Sequence, residues 1–421
     1  MSNIPTDAVE IVAVMGARAR AASAVLATLP TTRRADGLRR AANALRVAAS
    51  AIIAANDDDM AAAREAGLSA AMLDRLRLDA GRVAAMAAGV ASVADLPDPV
   101  GHVIDHRIAP SGIALSRLRV PIGVIGIIYE SRPNVTADAA ALCVMSGNAV
   151  ILRGGSEASR SNQAIHAAFV EGLLAAGLPA DAVQLVQSTD RALVGAMLTA
   201  AGVIDMIVPR GGKSLVARVQ ADARVPVLAH LDGINHVYVD ASADPVMAQD
   251  IVINAKMRRT GVCGAMETLL VDRDYADTGE LIAMLRATGC ELRGDAAIRA
   301  IDPRVDLASD TDWDTEYLDA IASIAVVDGV EGAMAHIAAH GSHHTDAIVA
   351  SDAAVAERFL AGVDSAIVLW NASTQYADGG EFGLGAEIGI ATGRLHARGP
   401  VALEGLTTYK WVGRGAGQVR G

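Results

Sequence analysis

Aromatic residues and cysteines are scarce in this chain of 421 residues. Aromatic side chains make up 3% of the sequence, although its hydrophobic content is 52%. An aromatic-lined groove for a polymer is therefore not expected. The three cysteines show no C-x-x-C spacing, which argues against a disulfide framework and a structural zinc site. A reducing compartment fits this cysteine usage best.

Positive charge and long apolar runs are also lacking. The 36 basic residues face 48 acidic ones, and the resulting net charge of -12 disfavours nucleic acid and anionic membranes as partners. No apolar segment reaches the roughly 18 residues of a membrane span. The N-terminal segment MSNIPTDAVE also lacks the basic and apolar regions of a leader peptide, so we expect a soluble cytoplasmic protein.

Alternating strand-like and helical segments predict an α/β fold. Continuous apolar runs at 124–128 and 149–152 each precede a helical stretch, which is the βαβ pattern of a doubly wound parallel sheet. This layout is typical of nucleotide-binding domains. Further strands are expected at 183–186, 203–208, 236–240, 266–271, 322–327, 346–350 and 365–370.

Two local patterns stand apart from this alternation. The run Asn56-Asp57-Asp58-Asp59 predicts a helix start on a solvated face, with Asn56 as the cap.

Two β-like runs between Val103 and Val120 flank a Pro-Ser-Gly turn and predict a hairpin. An exposed β arm usually pairs with another strand, so a homo-oligomer is expected.

Cys263 is the candidate nucleophile. It lies in RTGVCGAMETLLV between Gly261 and Gly264, and these glycines let the backbone approach closely and leave the sulfur accessible. Arg258 and Arg259, together with Lys256 a little earlier, would favour the reactive thiolate if they lie nearby. On these grounds alone, a small hydrophobic packing role remains the alternative.

Two Gly-Gly turns resemble phosphate cradles. LRGGSEAS (152–159) and PRGGKSLV (209–216) each follow a predicted strand and open a helix, so both offer backbone N–H groups and a cation. Neither matches G-x-G-x-x-G or a Walker motif, and an ordinary turn is the alternative.

Four histidines occur in AHIAAHGSHHTDAI (335–348). No carboxylate and histidine pair repeats there at helical ligand spacing, so solvated loop histidines are favoured and no metal is predicted.

Longer motifs carry a family resemblance. The branch of the aldehyde dehydrogenase superfamily that reduces glutamyl phosphate is closely resembled by YESRPNVTADAAALCVMSGNAVILRGGSEA (129–158), RRTGVCGAMETLLV (258–271), the His-rich stretch (335–348) and LHARGPVALEGLTTYKWVG (395–413). The resemblance runs over nearly the whole chain. It implies a Rossmann-type parallel-sheet cofactor domain, a second α/β catalytic domain and a small β oligomerisation element.

The resemblance also implies how these domains divide the chain. The cofactor domain would span 1–256 and include the hairpin at 103–120, and the catalytic domain would span 257–378. Residues 379–421 would return to the cofactor domain and the oligomer interface, in a dimer or tetramer.

The activity implied is the reduction of L-glutamate 5-phosphate by NADPH to L-glutamate 5-semialdehyde and phosphate, the second step of proline biosynthesis. Cys263 would form a thioester that a hydride then reduces. The oxyanion donors would be the Cys263 N–H group and Asn134, although this Asn follows Pro133 where the superfamily's Asn precedes a Pro. Arg132 competes for the same role. Because glutamyl phosphate is labile, a transient complex with glutamate kinase is also implied.

Cofactor and substrate residues follow from the same resemblance. Matches to cofactor positions are Arg153, Gly211, Gly212, Lys213 and Ser214, with Glu316 matching a residue that holds the nicotinamide ribose. Candidates for the anionic groups of the substrate are Arg132, Arg258, Arg259, His396, Arg398 and Lys410, any of which could instead be a surface charge.

One departure from ordinary aldehyde dehydrogenases is informative. Their general-base Glu opens an E-L-G-G segment, whereas HLDGIN (230–235) places His230 there. Losing a base that activates water suits an enzyme that exchanges its acyl group with phosphate. Gly264 and Met334 are atypical for the branch, which is expected to have Asn and a branched aliphatic residue at these positions.

Two rival functions remain open from the sequence. An aldehyde dehydrogenase that releases a free acid would turn over without phosphate. A catalytically silent nucleotide-binding protein would bind cofactor with no dependence on Cys263, and the intact cysteine motif beside two anion loops disfavours it. The residues do not distinguish NADPH from NADH.

Overall fold

The computed structural model describes residues 5–420, which form two compact units. Among these residues, the first unit comprises 5–229, 384–389 and 401–420, and the second comprises 230–383 and 390–400. Residues 1–4 and residue 421 lie outside the described part of the chain. They include the start of the segment MSNIPTDAVE and the end of the predicted C-terminal segment.

Helices dominate the start of the first unit. The helix α1 (Thr6–Leu26) buries Ala8, Val12, Ala19 and Leu26, a helical spacing that turns one face to the core. The other helices of this unit are α2 (Thr31–Val47), α3 (Ala49–Glu65), α4 (Ala70–Leu76), α5 (Ala80–Val93), α6 (Val135–Met145), α7 (Ser159–Ala175), α8 (Arg191–Thr199) and α9 (Lys213–Asp222).

A parallel sheet forms the core of the first unit. Strands β3 (Val124–Tyr129) and β4 (Ala149–Arg153) are buried along their whole length, as expected for strands covered by helices on both faces. With β5 (Val183–Leu185) and β6 (Met206–Arg210) they form a sheet of order β5-β4-β3-β6. The strands predicted at 124–128, 149–152 and 183–186 are confirmed, and β6 lies slightly later than predicted.

The predicted hairpin is confirmed and gains a third strand. Strands β1 (Val103–Ile108) and β2 (Ala114–Pro121) pair antiparallel, and β16 (Thr407–Arg414) pairs antiparallel with β2. The sheet order β1-β2-β16 leaves β1 and β16 as edges. The C-terminal motif therefore completes the arm within the same chain.

The prediction for Asn56 is wrong. α3 begins at Ala49, and Asn56 is fully buried inside the helix. Its Nδ2 donates to the Leu76 carbonyl at 2.9 Å, and its Oδ1 accepts from the Leu78 N–H at 2.7 Å. Asp59 is also buried and accepts from the Ser161 N–H at 2.8 Å. These polar side chains tie α3 to neighbouring segments because burial requires each of them to find partners.

The second unit is built on another parallel sheet. Its strands have the order β10-β9-β11-β8-β7-β12-β13 among the described residues. They are β7 (Asn235–Val239), β8 (Met266–Asp272), β9 (Glu291–Gly294), β10 (Asp306–Leu307), β11 (Ile321–Val327), β12 (Thr345–Val349) and β13 (Ile367–Trp370), with the short antiparallel pair β14 (Ile390–Ala391) and β15 (Gly399–Pro400). The helices are α10 (Pro245–Met257), α11 (Thr278–Ala287), α12 (Ala296–Ile301), α13 (Gly329–His340) and α14 (Ala353–Gly362).

The boundary between the units lies earlier than the expected 256/257 division. The unit begins at His230 because β7 pairs with β8 and β12 in the second sheet. α10 likewise packs against β8 and β12. The segment 230–256 thus belongs structurally with Cys263.

None of the helices within residues 5–420 is long and apolar enough to cross a membrane.

Candidate active site

Cys263 lies in the turn that joins α10 to β8 and is half-buried. The buried Asn235, the first residue of β7, holds this turn from beneath. Its Nδ2 donates to the carbonyls of Cys263 and Ala265, each at 2.7 Å, and its Oδ1 accepts from the Thr345 N–H at 3.1 Å. One buried amide therefore fixes the backbone of the cysteine turn to the ends of two strands. Sequence reasoning missed Asn235, although its position at a strand entry beside the HLDG segment is the kind of place where such a side chain occurs.

Gly233 allows a second close approach to the same turn. A Cβ atom at this position would lie 2.2 Å from the Cys263 carbonyl oxygen, a distance that real side chains do not reach. The Gly233 N–H donates to Glu316 Oε1 at 2.9 Å. Glu316, predicted to bind the cofactor ribose, is thus held beside the cysteine turn.

Two imidazoles adjoin Cys263. The rings of His230 and His344 lie 5.0 Å apart, edge to face, and each offers a nitrogen within 4.8 Å of the other and of Cys263 Sγ. His230 Nδ1 lies 2.8 Å from the Ile390 carbonyl oxygen. His344 is fully buried, and burial lowers its pKa to about 3, so this imidazole is neutral. The sequence placed His344 among solvated loop histidines, and that prediction is wrong because His344 directly precedes β12 and is buried there.

A buried ion pair lies next to the cysteine turn. Lys256 Nζ lies 2.5 Å from Glu267 Oε2, and both side chains are essentially inaccessible to solvent. Burial raises the pKa of Glu267 to about 7, and the Lys256 ammonium opposes this shift. Lys256 is therefore committed to Glu267.

Arg258 and Arg259 directly follow α10 and are exposed. Arg258 Nη1 donates to Gln375 Oε1 at 3.3 Å, and Gln375 Nε2 donates to the carbonyls of Ala255 and Arg259 at 3.0 and 3.2 Å. The Gln375 amide thus anchors the segment that leads to Cys263, and it leaves both guanidinium groups at the surface of that segment.

Arg398 and His396 lie in the loop between β14 and β15. Arg398 bonds to Asp364 twice, to Oδ1 at 2.6 Å and to the carbonyl at 3.0 Å, and also donates to the Thr392 carbonyl at 3.2 Å. The hydrogen bond from Arg398 lowers the pKa of Asp364. His396 has a left-handed backbone with φ 72°. Arg398 therefore shapes the loop that presents His396.

A cleft of about 820 Å³ occupies the first unit. It lies at the carboxyl ends of β3, β4 and β6, where the chain order reverses because β6 returns to the other side of β3. Open parallel sheets bind ligands at such a switch point. Among the lining residues are Glu130, Ser131, Arg153, Gly155, Arg191 and Ser214.

Arg153 supplies a buried cation to this cleft. Its Nη1 donates to the Gly154 carbonyl at 2.6 Å and its Nη2 to the Thr189 carbonyl at 2.9 Å, whereas its Nε has no hydrogen-bond partner among residues 5–420. Burial lowers its pKa from the ordinary value, yet a guanidinium remains charged at neutral pH.

Glu130 organises the second Gly-Gly turn. Its Oε2 accepts from the Gly212 N–H at 3.1 Å, and a Cβ at Gly211 would lie only 2.5 Å from the same oxygen. Lys213 is the first residue of α9, and Ser214 lines the cleft. Sequence reasoning missed Glu130, which the adjacency of β3 and β6 brings to this turn.

The remaining predicted residues of the first unit lie at two places. Asn134 precedes α6 and its Nδ2 donates to Asp138 Oδ2 at 2.8 Å; burial raises the pKa of Asp138 to about 6. Arg132, two residues before Asn134, is exposed. Lys410 is exposed on β16 of the three-stranded sheet, in the first unit.

Comparison with known proteins gives a consistent result. The aldehyde dehydrogenase family model matches residues 1–299. The chain is 67% identical over 420 residues to a protein of Rhizorhabdus wittichii, covering 99% of this chain and 98% of the relative. It is 67% identical over 419 residues to one of Novosphingobium aromaticivorans, covering 100% and 99%. Both relatives are named gamma-glutamyl phosphate reductase.

A solved structure supports the same relationship. The gamma-glutamyl phosphate reductase of Thermotoga maritima has a TM-score of 0.95 and 42% identity, covering 97% of this chain and 100% of that one. The aldehyde dehydrogenase-like α/β fold expected from the sequence is confirmed.

Proposed function

This chain belongs to the aldehyde dehydrogenase family, and on that premise we propose that it reduces L-glutamate 5-phosphate to L-glutamate 5-semialdehyde and phosphate. The names of the relatives support this assignment. The observation that carries it is the half-buried Cys263 on a turn held by Asn235 and closed beneath by Gly233. This arrangement keeps one thiol at a defined place for nucleophilic attack.

The proposed chemistry takes place on the sulfur. The Cys263 thiolate attacks the acyl carbon, and cleavage of the acyl–oxygen bond expels phosphate and leaves a thioester. Reduction of the thioester gives a thiohemiacetal, and its collapse releases the aldehyde and regenerates the thiolate. The Cys263 N–H group and Asn134 are proposed as donors to the oxyanion.

A nicotinamide cofactor fits the residues of the first unit. The buried Arg153, whose Nε has no hydrogen-bond partner among residues 5–420, offers a cation to a cofactor phosphate. Gly211 is proposed to let the backbone approach the cofactor. When bound, the cofactor supplies the hydride. Gly212, Lys213 and Ser214 open α9 over this cleft, and Glu316 is proposed for the ribose. We propose NADPH as the physiological form.

The replacement of the general-base Glu by His230 favours acyl exchange over hydrolysis. Position 230 carries a histidine where acid-producing relatives carry the general-base Glu, and its Nδ1 is engaged by the Ile390 carbonyl. A thioester without an activated water persists until phosphate or hydride reaches it. The substrate's own phosphate and carboxylate are proposed to bind among Arg132, Arg258, Arg259, His396, Arg398 and Lys410.

The β arm supports the proposed homo-oligomer. Tyr409 and Trp411 are about half exposed on β16, with the Arg107 guanidinium 4.8 Å from the Trp411 ring and that of Arg117 5.1 Å from the Tyr409 ring. Such aromatic and arginine surfaces are enriched at protein interfaces. A dimer or tetramer is proposed, together with a transient complex with glutamate kinase. A cytoplasmic location is also proposed, because Cys143, Cys263 and Cys290 form no disulfide within residues 5–420, as expected in a reducing compartment.

The reverse reaction tests this function. Native enzyme is supplied with glutamate-5-semialdehyde and NADP, and NADPH formation is followed with and without phosphate. NADPH formation beyond one equivalent per enzyme should require phosphate, vanish in Cys263→Ala and persist in the matched control Cys290→Ala. Continued turnover without phosphate would point to an acid-producing dehydrogenase, and turnover by Cys263→Ala would remove the thioester from the mechanism.

A further inference from the structure

Three side chains that can bind metals converge beside the cysteine turn. Each of His230, Cys263 and His344 offers one ligand atom, and these atoms all lie within 4.8 Å of one another. We propose that they form a binding site for Zn²⁺ and similar thiophilic divalent cations, in which two imidazoles and one thiolate bind the ion. A fourth position would be left for water, as in open tetrahedral zinc sites.

His344 provides the first independent support. Its side chain is fully buried, and its Nε2 has no hydrogen-bond partner within the described residues 5–420. Its Nδ1 lies 2.9 Å from Thr345 Oγ1, which fixes the ring. A buried nitrogen without a partner is costly, and binding a cation would remove that cost. The neutral form of this imidazole is the one that binds metals.

His230 provides the second independent support for the metal site. The Ile390 carbonyl, 2.8 Å from Nδ1, can only accept a hydrogen bond, so Nδ1 carries a hydrogen. In the neutral ring the lone pair therefore lies on Nε2. Metal-binding histidines almost always hold their other nitrogen in this way, by donating to a carbonyl or carboxylate.

The distances require only small side-chain movements. Zinc lies about 2.0–2.1 Å from imidazole nitrogen and about 2.3 Å from thiolate sulfur, which places tetrahedral ligand atoms about 3.5 Å apart. Closing from 4.8 Å or less to this separation takes roughly 1 Å, and the half-buried Cys263 side chain can provide it. The backbone positions are already fixed by Asn235.

Binding would block the nucleophile reversibly. The Cys263 thiol loses its proton to solvent as the Zn–S bond forms, so one proton is released per ion and no electron is transferred. The sulfur lone pair in that bond can no longer attack an acyl group. A chelator would restore the thiolate. Sequence spacing gave no sign of such a site, because its ligands come from three separate segments.

Cobalt provides a direct test that does not depend on the proposed function. The reduced native chain is titrated with Co²⁺ in the absence of substrate and cofactor. A thiolate-to-cobalt charge-transfer band and intense visible bands of a tetrahedral ion should appear, and Zn²⁺ should displace them. Mg²⁺ should not compete, since it prefers oxygen ligands. The absence of a charge-transfer band in the native chain would overturn the proposal.

Variants identify the ligands. Cys263→Ser should abolish the charge-transfer band, and its half-buried position makes it the variant least disruptive to folding. His344→Asn keeps a group near the Nδ1 position and removes Nε2, so it should weaken Zn²⁺ binding by about tenfold or more. The matched control His340→Asn alters a histidine of the same stretch that pairs with Asp314 and should bind as the native chain does. A band retained in Cys263→Ser, or native affinity in a folded His344→Asn, would refute the site.

Discussion

Replacing Gly233 with alanine should disable the cysteine turn without touching Cys263 itself. The added Cβ would lie 2.2 Å from the Cys263 carbonyl oxygen and 2.9 Å from both its carbonyl carbon and its Cα. Ordinary contacts begin at about 3.4 Å, so the two backbones must separate by more than 1 Å. All three obstructing atoms belong to backbone, and no flexible side chain can yield in their place.

The size of the effect follows from that displacement. A shift of about 1 Å in a reacting group costs on the order of 10²-fold in rate, or about 2.7 kcal/mol of transition-state stabilisation. Overpacking should also lower the free energy of unfolding by about 1–3 kcal/mol. The Asn235 bond to the Cys263 carbonyl would be strained by the same movement.

The assay measures kcat/KM for phosphate-dependent semialdehyde oxidation, with thermal unfolding recorded in parallel. Gly261→Ala is the matched control, because it lies in the same turn and its nearest atom, the Leu318 carbonyl oxygen, is 3.9 Å away. The control should retain nearly native activity. Equal activities of Gly233→Ala and Gly261→Ala would show that the close approach does not position the nucleophile.

Three further predictions concern other parts of the chain. Lys256→Met leaves the Glu267 carboxylate buried without its counter-charge and should lower the free energy of unfolding, measured in urea, by about 3–5 kcal/mol. Adding Glu267→Leu should restore the lost stability. An unchanged urea midpoint of unfolding in Lys256→Met would contradict this prediction. Burial raises the pKa of Asp138 to about 6 from an ordinary 3.8, so the folded state binds the proton more tightly than the unfolded state does. The free energy of unfolding of the native chain, measured relative to that of Asp138→Asn, should therefore fall by on the order of 2 kcal/mol as the pH rises from about 4 to 6. A difference between the two proteins that does not depend on pH would refute this prediction. Arg153→Gln should raise the Kd for NADP about tenfold or more. Arg224 is exposed and does not line the cleft, so Arg224→Gln should leave the Kd unchanged. Equal effects of the two substitutions would show that Arg153 does not bind the cofactor.

Periodicity predicted most of the strands but not their partners. The runs at 124–128 and 266–271 are buried on both faces and could be recognised as apolar stretches. The strand at 236–240 was recognised too, yet its membership of the second sheet depends on pairing with β8 and β12, which no local pattern encodes. The prediction for Asn56 was wrong because an Asn followed by acidic residues in the sequence looks like the cap of a solvated helix. The hydrogen-bond partners that bury its side chain lie 20 to 105 residues away in the sequence, where no local pattern shows them.

The candidate active site likewise could be predicted only in part, because sequence motifs do not show which distant residues contact them. Motifs identified Cys263 and the two Gly-Gly turns, and the family membership inferred from them is confirmed by the relatives and by the family model. The residues that hold these motifs in place lie in other segments of the chain. Asn235 and Gly233 contact the backbone of Cys263, and Glu130 accepts a hydrogen bond from the Gly212 N–H group. The HLDGIN segment (230–235) drew attention only to His230, and no local pattern shows which residues Asn235, Gly233 and Glu130 contact, so only the fold brings them to the chemistry.

Trapping the acyl group tests the central claim most directly. Native enzyme is mixed with glutamate-5-semialdehyde and NADP without phosphate, quenched in acid and mapped by peptide mass spectrometry. One glutamyl group should be found on the peptide that contains Cys263, and it should disappear when phosphate is added before quenching. No adduct, an adduct on Cys143 or Cys290, or an adduct on Cys263 that phosphate does not remove would contradict catalysis through an exchangeable thioester on this residue.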